Sequence, residues 1–160
     1  MKPNRGFTLV EMMVTIAILA ILIAIATPSF TRMIQDSRVT TQANDLLLAM
    51  TLARSEAIKR AEDVSVSPEG ADFDSGWCVH TGAACSAATA IREHEGLSLV
   101  VLADSPGAAL VFDSLGRKTS PTSDQTFAID PTACTAGEGR RRVLTVTDTG
   151  RASVTTASCS

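Results

Sequence analysis

The chain has 160 residues, of which 45% are apolar and 4% aromatic, contains no tyrosine, and carries a formal net charge of −3 at pH 7. This length allows one globular domain in addition to a membrane anchor. The scarcity of aromatic side chains excludes a stacking platform for bases or sugars, and nothing in the overall charge favours nucleic acid as a partner.

The first predicted element is a membrane-spanning helix. Residues 7–26 form an apolar run with a single charged side chain, Glu11. A helix of that length measures roughly 30 Å, which matches the hydrocarbon core of a bilayer. Because a carboxylate at membrane depth costs about 2.5 to 3.5 kcal/mol on insertion scales, Glu11 is predicted to be functional and to need a positively charged partner.

This segment resembles the N-terminal signal of type IV pilins and type II secretion pseudopilins. It combines a basic leader, the sequence Gly6-Phe-Thr-Leu-Val-Glu11, an apolar run and Pro28. The resemblance implies that prepilin peptidase cleaves between Gly6 and Phe7, that the new N-terminal Phe7 is N-methylated, and that Glu11 and Pro28 act in assembly. It also implies that the Phe7 ammonium of one subunit lies near the Glu11 carboxylate of a neighbour. A buried charge is tolerable beside an opposite one.

Two other interpretations of the N-terminal segment remain open. The basic leader and the apolar run could form a secretory signal peptide that is cleaved at Ala24-Ile-Ala26, although Glu11 would then interrupt its apolar region. A plain single-span anchor would leave Gly6, Phe7 and Glu11 without a role. The mass of the mature N-terminus separates the three interpretations, because a start at Thr27 identifies the secretory signal.

The helix is predicted to continue beyond Pro28, with a bend there because proline lacks a backbone N–H and clashes with the preceding turn. Apolar residues between 29 and 61 recur at spacings of three to five, which indicates an amphipathic helix packed on a globular domain. They are Ile34, Val39, Ala43, Leu46, Leu47, Met50, Ala53, Ala57 and Ile58. A helix in the membrane interface is the alternative, but charges of both signs are interspersed and aromatics are missing from the apolar face.

Residues 62–160 are predicted to be rich in β-strands. Alternation and turn signals predict strands at 64–67, 77–80, 91–95 (an edge strand), 97–102, 109–113, 127–129, 140–147 and 152–156, with 97–102 and 109–113 the best buried, loops at 72–76 and 131–139, and a turn at 115–118. The glycine of Asp148-Thr-Gly150 predicts a hairpin between the last two strands. Strands that follow a long helix without βαβ alternation predict an α+β fold, in which an antiparallel β-sheet packs on the amphipathic half of the helix.

The predicted organisation has three parts. They are a leader peptide at 1–6, a transmembrane and assembly helix at 7–28, and a globular domain at 29–160, whose amphipathic helix covers about 29–61 and whose β-rich part covers 62–160. By its resemblance, this arrangement is a type IV pilin fold. The positive-inside rule keeps the leader cytoplasmic, so we expect a single-pass inner-membrane protein with a periplasmic domain, which is later incorporated in a pilus or pseudopilus.

Four cysteines, Cys78, Cys85, Cys134 and Cys159, follow the membrane segment. In an oxidising compartment they are expected to form disulfides. Four cysteines allow three connectivities, which sequence alone does not resolve, and proximity favours Cys78–Cys85 with Cys134–Cys159. A metal site of Cys78, Cys85, His80 and His94 is the alternative, but the spacings differ from those of zinc modules. No metal or other cofactor is therefore predicted.

No catalytic site is predicted. The near-neutral acid–base side chains are His80 and His94, and neither belongs to a recognisable nucleophile arrangement. The sequence also contains no phosphate-binding loop and no dinucleotide fingerprint. We therefore expect that the protein is not an enzyme.

Charge is distributed unevenly along the globular domain. Between Glu62 and Asp104 eight acidic residues accompany one basic residue, Arg92, whereas six basic and five acidic residues follow from Ser105 onward. A solvated surface is the simple explanation of this pattern. Charge matching between stacked subunits is the alternative.

Three segments resemble the FimT/FimU group of minor pilins and the H-type minor pseudopilin of type II secretion. They are Ala53-Arg-Ser-Glu-Ala57, Val111-Phe-Asp-Ser-Leu-Gly-Arg117 and Thr149-Gly-Arg151. The resemblance implies a tip or priming subunit for assembly of type IV pili, which act in surface attachment and twitching motility. Its implied partners are other minor pilins, the major pilin, prepilin peptidase and the inner membrane.

Two alternative functions remain. FimT binds DNA in natural transformation through a C-terminal Gly-Arg-x-Arg motif, and here Gly150-Arg-Ala-Ser153 has serine in place of the second arginine. Arg151 is a candidate DNA contact, and Arg140, Arg141 and Arg142, which lie across the predicted hairpin from it, could supply further phosphate contacts. The other alternative is a minor pseudopilin of type II secretion, since both machines use the same signal and similar subunits.

Overall fold

The structure is a computed structural model that describes residues 7–98 and 100–160, without the side chain of Pro28. The predicted leader at 1–6, and with it Gly6, lies outside the described residues. The chain divides into two compact units, Met1–Ile34 and Gln35–Ser160.

One helix, α1 Leu9–Arg60, contributes to both units. The prediction that the helix continues beyond Pro28 is therefore confirmed, and the bend at this proline stays a prediction. In the first unit α1 is long and apolar enough to cross a membrane, and its most apolar stretch has no buried residue. Exposure of so many aliphatic side chains is expected when lipid or other helices are their natural surroundings.

In the second unit α1 packs on the β-rich part through one stripe of side chains. Its buried residues alternate at spacings of four and three, as a helix with one apolar face requires, and are Val39, Ala43, Leu46, Met50, Ala53 and Ala57, with Ala49 beside them. The predicted stripe is too long at both ends, since Ile34 is 46% and Ile58 51% exposed. Small alanines let the sheets approach the helix closely.

Among the described residues of the second unit, nine strands form two antiparallel sheets. They are β1 Val64–Pro68, β2 Gly76–Thr81, β3 Ala90–Glu95, β4 Val100–Asp104, β5 Leu110–Phe112, β6 Lys118–Ser120, β7 Gln125–Pro131, β8 Arg141–Val146 and β9 Ala152–Ala157. The first sheet has the order β3-β2-β1-β5-β6 and the second β4-β7-β8-β9. The α+β prediction is confirmed, but two sheets replace the single one expected. The β8–β9 hairpin and the edge position of β3 are also as predicted.

The prediction that 97–102 and 109–113 are the best buried strands is wrong for the first of them. β4 begins at Val100, which is buried, while Val101 is 45% exposed. Among the described strands it pairs only with β7, at the edge of the second sheet, and its other side has no described strand beside it. The sequence analysis also missed β6, as well as a short 3-10 helix at Phe73–Ser75 within the predicted loop.

An aromatic contact in the core links the 3-10 helix before β2 to the second sheet. Phe73 precedes β2, and Phe127 belongs to β7. Both rings are fully buried, and they meet edge to face with centroids 5.0 Å apart. Aromatic pairs favour this geometry because the positive ring edge meets the negative ring face. The pair therefore packs the 3-10 helix against β7.

Candidate assembly surfaces

The N-terminus of α1 is closed by a reciprocal cap between Thr8 and Glu11. The Thr8 backbone N–H and hydroxyl donate to Glu11 Oε2 at 2.9 and 3.0 Å, and the Glu11 N–H donates to Thr8 Oγ1 at 3.2 Å. This is a capping box, in which a Ser or Thr and a Glu three residues later satisfy each other's free N–H groups. The pattern Thr-x-x-Glu in the sequence is a signature of this cap, which was absent from the expectations for Glu11.

The cap leaves one carboxylate oxygen of Glu11 available. Both bonds from Thr8 reach Oε2, and no described residue donates to Oε1. Glu11 and Phe7 are both exposed in the isolated chain, Phe7 by 79%. A positively charged group from outside the chain can therefore approach Oε1 without breaking the cap.

Further along the first unit, α1 carries a shallow apolar groove. It has a volume of about 360 Å³ and is lined by Ile23, Ala26, Thr27, Phe30, Thr31 and Ile34. The Thr27 hydroxyl donates to the Ile23 carbonyl at 2.7 Å, so this polar side chain is satisfied inside the helix. The groove thus offers an almost wholly apolar contact surface.

The three segments that carry the family resemblance meet at one place in the second unit. A Cβ on Gly116 would lie 2.7 Å from Ile58 Cδ1 and 3.1 Å from Arg54 Nε, so the 113–117 turn rests directly on the last part of α1. A Cβ on Gly150 would overlap the carbonyl oxygen of Gly116. Both glycines have positive φ, +75° and +76°. Only glycine combines this backbone conformation with such a close approach.

Asp113 shapes the first of these turns. Its Oδ1 accepts hydrogen bonds from the backbone N–H groups of Leu115 and Arg117 at 3.0 and 2.8 Å. Its Oδ2 accepts from Arg117 Nε and Nη2 at 3.0 and 2.8 Å. The Arg117 backbone bond first, and then the contacts with its side chain and with Leu115, lower the pKa of the Asp113 carboxyl. These bonds leave Leu115 at the tip of the turn, 69% exposed.

A buried lysine anchors the loop beside the two turns. Lys118 is 4% exposed, and its ammonium donates to the carbonyls of Pro121 and Ser123. Burial lowers the pKa of Lys118, opposed by the charges of Asp124 and Asp148. The Lys118 backbone N–H also donates to the Asp148 carbonyl at 3.0 Å, which ties the first turn to the β8–β9 hairpin.

Two of the four candidate DNA-contact arginines are engaged in ion pairs within the chain. Arg140 Nε donates to Asp36 Oδ1 at 2.7 Å, and this bond raises the pKa of the guanidinium. Arg141 donates to both carboxylate oxygens of Asp130, from Nε to Oδ1 at 2.7 Å and from Nη2 to Oδ2 at 2.6 Å. The side chains of both arginines are 15% exposed. The pair of Arg141 with Asp130 is bidentate, and both shielded pairs hold their arginine in place.

The other two arginines lie at opposite ends of the hairpin. Arg142 is half-buried, pairs with Thr156 across the strands, and donates to its hydroxyl at 2.9 Å. Arg151 is exposed next to the Gly150 turn, and within the part of the chain that the structure describes its guanidinium has no partner. About five residues of strand separate the two positions, or roughly 17 Å. The strand register therefore places Arg142 and Arg151 at opposite ends of the hairpin, and a contact of either with DNA stays a prediction.

The structure contains the two disulfides that proximity along the sequence favours. Cys78 is bonded to Cys85, and Cys134 to Cys159. The second bridge joins the C-terminal tail to the 131–139 loop, where the Cys159 N–H also donates to the Glu138 carbonyl at 2.8 Å. Bonded sulfurs are not thiolates, the form in which cysteine binds zinc.

Neither histidine of the alternative metal set is grouped with the cysteines among the described residues. Among the described residues, the sulfurs of Cys78 and Cys85 lie near Glu93 instead. His80 is buried, with Nε2 2.7 Å from Ser67 Oγ. His94 stacks on Trp77, with ring centroids 4.0 Å apart and planes within 5° of parallel. Both histidine side chains are therefore engaged in contacts within the fold and not with the cysteines.

Comparison with family models gives two matches. The model described as type II transport protein GspH matches residues 42–150, and the prokaryotic N-terminal methylation motif matches residues 1–27. The first match includes the helix segment 53–57 and the turn 111–117 described above. The second includes the capped N-terminus of α1.

Individual proteins give similar results. Two fimbrial proteins of Pseudomonas aeruginosa are each 34% identical to the chain over 82 residues, which is 51% of this chain and 53% of theirs. The match thus spans about half the length of these curated relatives.

Solved structures extend the comparison to most of the chain. Two crystal structures of the type IV minor pilin FimU of P. aeruginosa PAO1 are 25% identical, with TM-scores of 0.59 and 0.60, over 72% and 74% of this chain and 91% and 89% of FimU. The minor pseudopilin EpsH of the Vibrio cholerae type 2 secretion system has a TM-score of 0.53 over 74% of this chain and 97% of EpsH. At 15% identity, EpsH shares the fold alone.

Proposed function

The chain belongs to the family of the type II transport protein GspH, and from this premise we propose that it is a minor type IV pilin, a tip or priming subunit of the filament. The observation that carries the choice of a pilus over a secretion machine is the likeness to FimU, at 25% identity over about nine-tenths of that protein. The proposed role is structural and not enzymatic.

The two units suggest how the protein is processed, inserted in the membrane and incorporated in the filament. Prepilin peptidase cleaves between Gly6 and Phe7, Phe7 is N-methylated, and the segment 7–28 anchors the subunit in the inner membrane. The globular domain lies in the periplasm, an oxidising compartment that suits the two disulfides. The subunit then joins other minor pilins and the major pilin in the filament, where Pro28 acts with Glu11 in assembly.

Glu11 provides the proposed assembly contact. Its free Oε1 accepts the Phe7 ammonium of the neighbouring subunit, while Oε2 keeps the Thr8 cap. The pairing compensates two charges that would each be costly at membrane depth. The carboxylate therefore has two separable tasks, a cap within the subunit and an ion pair between subunits.

Two substitutions separate these tasks. Glu11→Gln keeps an oxygen that can accept the capping bonds but removes the charge, whereas Thr8→Ala removes the hydroxyl of the cap and keeps the charge. We expect Glu11→Gln to deplete the protein from sheared pili about tenfold or more, and Thr8→Ala to have a much smaller effect. Glu95→Ala, an exposed acidic residue of β3, is the matched control. Immunoblots of sheared and cell fractions give the measurement.

Deletion of the gene tests the choice of machine. Loss of surface filaments and twitching with normal exoprotein secretion supports the proposal. Loss of secretion with intact pili assigns the protein to type II secretion, as a minor pseudopilin.

For the Glu11 experiment, normal incorporation of the Glu11→Gln variant into sheared pili contradicts the proposed ion pair.

DNA uptake is the second candidate function, and one observation favours it. The Arg151 guanidinium is exposed and has no partner among the described residues, which suits a contact with phosphate. The ion pairs of Arg140 and Arg141 weigh against a larger basic site. Minor pilin assembly therefore remains the main proposal.

A further inference from the structure

The last part of α1 carries exposed aliphatic side chains beside an arginine. Ile58 is 51% and Leu115 69% exposed, and the Gly116 turn brings their segments together on the helix surface. Arg54 lies one helical turn before Ile58, on the same side of α1, and its Nε also faces Gly116. We call Arg54, Ile58, Leu115 and Gly116 the Arg54 patch.

Arg54 is unusual because it is half-buried and unpaired. Its Nε is buried and has no hydrogen-bond partner in the described part of the chain. A guanidinium stays charged at any physiological pH, and a buried donor without an acceptor is costly. A carboxylate that reaches the accessible part of the half-buried guanidinium would compensate a charge that no described residue pairs with.

The nearby acidic side chains already have partners. Glu56 accepts hydrogen bonds from Lys59 and Arg60 at 3.2 and 2.7 Å. Asp113 is bonded to the backbone and guanidinium of Arg117. Neither is bonded to Arg54, whose charge is left for an acid from outside the chain.

We propose that the Arg54 patch is a docking site for a neighbouring pilin subunit, which covers Ile58 and Leu115 with apolar side chains and places a carboxylate against Arg54. The inference rests on the proposed function, since it requires a filament. The aliphatic side chains supply contact area. The guanidinium favours an acidic partner, because a positively charged group would be repelled and a neutral acceptor would leave the charge of Arg54 uncompensated.

A photocrosslinker at the patch tests the docking site. Leu115 is replaced by p-benzoylphenylalanine in the full chain, expressed in piliated cells. Val101, 45% exposed on β4, receives the same replacement as the control position. We expect irradiation to link Leu115, and not Val101, to another pilin of the same filament through a peptide that contains Asp or Glu.

Charge variants test the role of Arg54 in the same assay. Arg54→Gln is expected to lower the yield of the Leu115 adduct about tenfold, since it removes a charge-assisted contact. Arg54→Lys keeps the charge and should retain most of the yield. Arg92→Gln, an exposed arginine on β3, should leave the yield unchanged.

Several results would overturn the inference. The first is an equal yield of adduct from the probes at Leu115 and Val101. The second is an adduct yield that Arg54→Gln does not change. The third is that the only adducts are with a second copy of the chain or with a protein that is not a pilin. The Leu115 probe in the chain with native Arg54 decides the question even if Arg54→Gln fails to fold. If the wild-type chain is found in sheared filaments but the Leu115 probe gives no adduct, only the docking site is refuted. If the wild-type chain is absent from filaments, the proposed function is refuted.

Discussion

At the scale of single residues, Gly150 and Gly137 form a matched pair that separates backbone strain from crowding. Both have positive φ, +76° and +89°. A Cβ on Gly150 would overlap the Gly116 carbonyl oxygen, whereas a Cβ on Gly137 meets no atom within 4 Å. Substitution by alanine therefore introduces backbone strain at Gly137, and both backbone strain and a steric overlap at Gly150.

We expect Gly137→Ala to lower the free energy of unfolding by about 1–2 kcal/mol, the cost of a left-handed conformation for an L-residue. Gly150→Ala adds the cost of overpacking and should lose about 2–5 kcal/mol. Urea unfolding of the full chain in detergent measures both. Equal losses would show that the contact between the two turns is not needed.

Asp113 makes stability depend on pH. Its pKa is lower in the folded chain, so its contribution is complete above the unfolded pKa of about 3.9 and disappears as pH falls through the folded value. Asp113→Asn should therefore lower the melting temperature at pH 7, and the difference from wild type should shrink below about pH 4. Asp63→Asn, an exposed residue, is the control. A difference that stays constant with pH contradicts the linkage.

At the scale of elements, the disulfides constrain two different loops. Cys78–Cys85 closes a short excursion between β2 and β3, with a sequence separation of 7, whereas Cys134–Cys159 ties the C-terminal tail to the 131–139 loop across a separation of 25. Arg140 bonds the same loop to α1 through the Ala133 carbonyl and Asp36. The second bridge thus supports a connection between helix and loop.

Chain entropy predicts a larger loss for the longer loop. Replacing Cys134 and Cys159 together by serine should cost about 3 kcal/mol, and replacing Cys78 and Cys85 about 2 kcal/mol. Denaturant midpoints of the two double variants provide the comparison. A larger loss for the Cys78–Cys85 pair would mean that strain or local packing outweighs loop length.

At the scale of the whole molecule, charge decides which large partners suit the surface. The net charge is −3, and two of the candidate arginines are neutralised by Asp36 and Asp130. DNA binding depends on counterion release by several clustered basic groups. The separation of Arg142 from Arg151 along the hairpin prevents such a cluster.

We therefore expect the full chain in detergent not to shift a DNA duplex at about 0.15 M salt, the physiological range. Electrophoretic mobility at low and physiological salt provides the measurement, with Arg151→Ala and Arg92→Ala as a matched pair. A shift that Arg151→Ala abolishes and Arg92→Ala does not would establish the DNA-binding alternative.

The sequence by itself determined the features that depend on local pattern. Helical periodicity identified the apolar and amphipathic parts of α1, alternation identified most strands, and Gly150 identified the last hairpin. Short separation was enough to favour the Cys78–Cys85 pair. The capping box of Thr8 and Glu11 was equally local and was readable from the sequence.

Only the tertiary structure decided which distant segments meet. Apolar alternation tells which face of a strand is buried but not which strand lies beside it, so the division into two sheets and the edge position of β4 could not be predicted. The ion pair of Arg140 with Asp36 joins residues more than a hundred positions apart. The meeting of Gly116 with Gly150 and Arg54 likewise depends on long-range packing, which periodicity does not encode.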